Sequence, residues 1–101
     1  MASRLILQQV LEELIGSKNV YYQPPPSMRI EYPAIVYSRN DIENRHADNQ
    51  VYSSTKQYEI IVIDENPDSI LPDKVNCLPS SRFNRHYTAD NLNHDVFTIY
   101  F

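Results

Sequence analysis

His86, Asp90, His94 and Asp95 are the densest grouping of side chains able to ligate a metal or move a proton. Imidazole and carboxylate both suit divalent transition metals, and a small metal-dependent nuclease could use His86 and His94. Their spacing matches no standard ligand signature. The four residues surround an expected hairpin loop, where Asp and Asn serve turn geometry. His86 and His94 flank that loop as an expected cross-strand pair. The reading that follows is a structural or interface role, with no metal and no cofactor.

Arg82, Phe83, Arg85, His86 and Tyr87 interleave basic and aromatic side chains, as nucleic-acid surfaces do. Asp90 and Asp95 follow at once, however, and the whole chain is acidic, with a net charge of −4. A surface built to grip phosphates is usually basic. Arg and Tyr are also enriched at the centres of protein interfaces, so a protein contact is the better reading. Glu12–Glu13 and Asp64–Glu65 are adjacent pairs that point to different sides of an element, unlike an acid/base couple. Cys77 has no fixed partner and reads as a small packing residue. No nucleophile, Walker or dinucleotide motif is present. The chain is therefore expected to be a non-enzymatic assembly component.

A length of 101 residues allows one domain and one core. Apolar residues are 42% and charged residues 22%, ordinary globular usage that argues against disorder. The longest apolar run, Ile60 to Ile63, is far short of a bilayer span. Gln8, Gln9, Glu12 and Glu13 interrupt the N-terminal apolar stretch, so no secretory signal is expected. A single cysteine cannot form an internal disulfide, which fits folding in a reducing cytoplasm. One glycine, Gly16, rules out a glycine-rich phosphate loop and leaves hairpin turns to Asn and Asp.

These side chains need elements to position them. Leu7, Leu11, Leu14 and Ile15, with Val10 beside them, make an apolar stripe, which predicts a helix over residues 3–15. Gln8, Gln9, Glu12 and Glu13 form its wet side. Ser3 suits the N-cap, and Gly16 sits where a left-handed residue ends a helix. Val20 to Gln23 predicts a short strand, stopped by Pro24-Pro25-Pro26. Residues 34–46 and 51–64 predict two long strands joined at Ala47-Asp48-Asn49-Gln50. A second helix is expected after Asn66-Pro67-Asp68-Ser69, with Ser69 as N-cap, Pro72 third in the helix, and a Leu71, Val75, Leu78 stripe. A second hairpin pairs residues 82–87 with residues 95–101. The expected fold is α+β, a single domain over residues 1–101. Two hairpins and a short strand make a mainly antiparallel sheet, and an N-terminal helix and a second short helix pack on it.

The apolar residues predict a core of Leu7, Leu11, Leu14, Val36, Ile61, Ile63, Leu78, Phe97 and Ile99. The distal half of the first hairpin, Arg39 to Lys56, is mostly polar and has little to bury in its own monomer. It is expected to project to a neighbour. The expected contact residues are Arg39, Asp41, Arg45, Asp48 and Tyr52 on this hairpin, with Arg82, Arg85, His86, Tyr87, Asp90, Asn91, His94 and Asp95 on the other.

The stretches VYYQPPPSMRIEYPAIVYSRNDI, HADNQVY, NPDSI and FNRHYTADNLNHDVFTIYF resemble the tail completion, or tail terminator, proteins of long-tailed bacteriophages and prophages. These are often labelled minor capsid or head–tail joining proteins. The resemblance runs from Val20 to Phe101, and the final segment is its most distinctive part. It implies a virion protein of the neck, assembled in the host cytoplasm. A hexameric ring of small α+β subunits would sit on the last tail-tube ring, halt tail polymerisation and present a docking face to the head connector. The implied partners are further copies of the chain, the major tail tube protein and the head completion or connector protein. DNA would pass through without specific binding, and no membrane is involved. The resemblance carries no catalytic residues. Pro72 within the second helix is a departure from the pattern. A different neck ring, either a head-completion stopper or a connector adaptor, is the alternative within the same machine.

Overall fold

Leu7 and Leu11 lie one helical turn apart, so both point to one side of the helix that contains them, α1 (Arg4–Ile15). Both are fully buried. The computed structural model describes residues 4–47 and 50–100, with side chains throughout except at 40–55. Ser3, the expected N-cap, lies outside the described residues. Gly16 ends α1 with φ of 77°, its N–H donating to the Glu12 carbonyl at 2.9 Å. The chain's one glycine therefore sits at a position where a side chain would be strained.

The remaining elements are β1 (Val20–Tyr22), β2 (Ala34–Ala47), β3 (Gln50–Asp64), α2 (Leu71–Asn76), β4 (Ser81–Ala89) and β5 (Leu92–Tyr100). They form a five-stranded sheet in the order β1-β2-β3-β5-β4. Only the β1–β2 pairing is parallel. The fold is α+β, as the residue pattern predicts. No helix among the described residues is long and apolar enough to cross a membrane.

Register decides which side chains meet. In an antiparallel pair, partners across the ladder share a face, and successive residues alternate faces. Ile35, Val62 and Asp95 make one row, and Tyr37, Ile60, Phe97 and Phe83 the next. Both helices cover this face, and Leu7, Leu11, Leu71 and Val75 join Ile35, Tyr37, Tyr58, Ile60, Val62, Phe97 and Ile99 in one core. Burying each large apolar side chain contributes about 1.5–3 kcal/mol. The opposite face, the back of the sheet, carries Val36, Ile61 and Val96 in one row and Ala34, Ile63 and His94 in another.

Four expected core residues are therefore corrected. Val36 and Ile61 face the back of the sheet and are half-buried there, away from the helices. Leu14 and Leu78 are also half-buried and pack against the rim of the core. Leu78 lies beyond the end of α2, and Leu14 sits in the last turn of α1. Leu7, Leu11, Ile63, Phe97 and Ile99 are buried as expected.

The second helix starts one residue later than its sequence signal. Ile70 is the N-cap, and Pro72 is the second helical residue. Either position leaves no lost intrahelical bond, because the first N–H groups of a helix have no internal acceptor. Ser69 still acts locally, its Oγ accepting from the Leu71 N–H at 3.2 Å.

Candidate functional site

The second hairpin turns at Asp90 and Asn91, both in the left-handed region at φ of 52° and 61°. Two consecutive left-handed residues are the geometry of the tight hairpin turn that suits strand twist. The turn is shorter than the expected loop, so Asn93, His94 and Asp95 belong to β5. That changes what the histidines do. His86 pairs across the ladder with Asp95, and His94 pairs with Tyr87. These are neighbouring rungs, so the two imidazoles lie on opposite faces of the sheet. The expected His86–His94 cross-strand pair is not formed, and a metal held by both would need a ligand set from two sides of a sheet.

Each histidine has a separate local role. On the helix-bearing face, the His86 Nδ1–H donates to Asp95 Oδ1 at 2.8 Å. The pair sits beside a groove of about 360 Å³ between α2 and β4, lined by Pro72, Asp73, Asn76, Phe83, Asp95 and Phe97. On the back face, His94 stacks on Tyr87 with ring centroids 4.6 Å apart and planes 12° from parallel. Its Nδ1–H donates to the Leu92 carbonyl at 3.1 Å. The Arg85 guanidinium lies 5.8 Å from the centre of the Tyr87 ring, within cation–π range. A stacked imidazole, phenol and guanidinium form a flat polar platform on that face. Asp90 and Asn91 serve the turn itself.

β4 is an edge strand, and every residue from Arg82 to Ala89 is exposed. Phe83 is 49% exposed although its ring meets Phe97 edge-on, with centroids 5.4 Å apart. An open strand edge is a template for further pairing unless something blunts it. A bulge between Phe83 and Arg85 breaks this edge into two parts, and Arg82 and Arg85 add charge.

The first hairpin places its expected contact residues differently. β5 flanks β3 only as far as Gln57, and β1 flanks β2 only at Ile35 to Tyr37. Beyond these pairs, among the described residues β2 and β3 pair only with each other, from Ile42–Lys56 to Ala47–Gln50. At strand rise this ribbon reaches about 20 Å past the sheet. The molecule measures 51 × 27 × 24 Å. Arg39 is exposed at the base of the ribbon, opposite Tyr58. Asp41, Arg45 and Tyr52 lie on the ribbon backbone, and their side chains fall outside the described residues, as does Asp48 entirely.

The contacts of two polar side chains, Gln8 and Arg4, carry no sequence signal of their own. Gln8, placed on the wet side of α1 by its spacing, accepts from the Tyr37 hydroxyl and donates from Nε2 to the Val20 carbonyl at 3.1 Å. Arg4 donates to the Tyr37 hydroxyl at 3.3 Å and lies 4.5 Å above the Tyr22 ring. Burial pushes the Tyr37 phenol above its ordinary pKa, with Arg4 pulling the other way. Burial raises Tyr58 likewise. Both tyrosines belong to the core, so the tyrosine-rich composition is only in part a surface feature.

Compared with known proteins, the chain matches no family model and no curated protein.

Proposed function

We propose that this chain is a tail-terminator subunit of a long-tailed phage neck, which forms a ring on the end of the tail tube, stops its polymerisation and joins it to the head. The observation that carries the reading is the ribbon beyond Gln57. A two-stranded ribbon without a third strand or a helix has little to bury and is marginal alone. A neighbouring subunit or tube ring supplies the missing surface. The exposed β4 edge on the other side of the sheet gives each subunit a second open surface, as head-to-tail ring closure requires. The resemblance of the segments from Val20 to Phe101 names the ring, and the α+β fold is the one that resemblance implies.

The test is reconstitution. Purified chain, alone and with tail tubes, is weighed by light scattering and imaged by electron microscopy. The expected result is a closed ring of about six copies that caps one end of the tube and halts its growth. A chain that stays monomeric with tubes present, leaving them to elongate, overturns the reading.

A further inference from the structure

The back of the sheet holds a notch of about 280 Å³ at the β4 edge, lined by Gln57, Arg82, Phe83, Asn84, Thr98 and Tyr100. Its polar lining is one guanidinium, two carboxamides and two hydroxyls, and it contains no acid. Arg82 and Thr98 are ladder partners, as are Gln57 and Tyr100, so these four share one face. Asn84 is the residue inserted by the β4 bulge, between Phe83 on Phe97 and Arg85 on Val96. A bulge re-aims the side chains around it. Among the described residues Arg82 makes no ion pair, the one such pair being His86–Asp95. Glu59 shares its row but lies two strands away, about 10 Å.

We propose that this notch binds a carboxylate carried on an extended acidic protein segment. A guanidinium presents paired donors that match a carboxylate's two oxygens. The Asn84 and Gln57 carboxamides and the Thr98 hydroxyl supply further donors around it, and the Tyr100 ring forms an apolar wall. The open β4 backbone beside the notch gives an extended segment its main-chain partners, and no acid occurs from Ser81 to Ala89 to repel it. The site lies on the β4 edge that the neck reading also calls on, but its demand for a carboxylate does not depend on that reading.

The experiment uses the full chain and a fluorescent peptide rich in Asp and Glu, with an Asn/Gln counterpart of equal length. Anisotropy is expected to show binding of the acidic peptide, at least about tenfold weaker binding of the neutral one, and a similar loss with Arg82→Gln. Arg82 is exposed, so the variant should keep its fold, which an unchanged melting curve verifies. Equal binding of both peptides, no binding of either, or undiminished binding by Arg82→Gln overturns the proposal. Loss of peptide binding with ring formation intact would leave the neck reading standing.

Discussion

The two hairpins have similar strand chemistry and opposite fates. The β2–β3 hairpin is buried at its open end, and beyond Gln57 the described parts of its strands pair with each other alone. The β4–β5 hairpin is divided lengthwise, with Val96, Phe97 and Ile99 of β5 buried and β4 exposed along nearly its whole length. Position in the sheet makes the difference. β5 lies between β3 and β4 and beneath α2, while β4 has a neighbour on one side only. The first hairpin outruns its neighbours, so its flanking support changes along the strands instead of between them. An open surface can thus arise by overhang or by edge position, and this molecule has both.

The comparison is sharpened most by Phe97 and Phe83, which touch each other across the second hairpin. Phe97→Ala removes a ring from the sealed side of the pair and is expected to cost about 3–5 kcal/mol. Phe83→Ala, on the open edge, should cost less than about 1 kcal/mol. Thermal or urea unfolding measures both, and equal losses would mean that β4 is not a free edge.

A smaller effect is expected at the root of the first hairpin. Tyr37→Phe removes the hydroxyl that meets Gln8 and Arg4, for a loss of about 1 kcal/mol. Tyr37 and Tyr58 have raised folded-state pKa values. Their contribution is therefore complete below the unfolded tyrosine value of about 10 and is lost as pH rises through the folded values. Stability measured against pH should fall more steeply in the alkaline range for the wild-type chain than for Tyr37→Phe. Parallel curves would remove the buried phenol from the account.

The smallest effect on stability is expected at the overhang. Replacing residues 42–56 by a tight turn should shift the melting temperature little, since among the described residues no other strand or helix flanks that ribbon. It should nevertheless abolish ring formation as read by light scattering. A truncated chain that unfolds would place the ribbon with the core, and one that still closes rings would take it out of the interface.

Much of the architecture is legible in local chemistry. A stripe of leucines marks α1 and Gly16 marks its end. Asp90, Asn91, Asn93 and His94 mark a chain reversal, and the polar run after Arg39 marks an overhang. Each signal depends on residues close in sequence, where backbone geometry alone dictates the outcome. The apolar run Ile60 to Ile63 is different. It has no alternation, so it offers two equally apolar faces, and nothing local says which one meets the helices. Only the packed sheet decides that Ile60 and Val62 lie under the helices while Ile61 faces the back.

The candidate site divides in the same way. That residues 82–95 gather charge, aromatics and imidazoles is plain from the chain itself, as are a reversal between Tyr87 and Asp95 and the acidity of the whole. Which of them meet is a matter of ladder parity. A two-residue turn and one bulge set His86 against Asp95 and His94 against Tyr87, on opposite faces, and a single-residue slip would exchange every partner. The notch at Arg82 likewise exists only because Gln57, Thr98 and Tyr100 arrive from other strands. The amino-acid sequence determined the elements, the chain reversals and the overhang, since these follow from short-range backbone preferences. The tertiary structure alone decided faces and partners, because a strand shows two sides and only its neighbours choose between them.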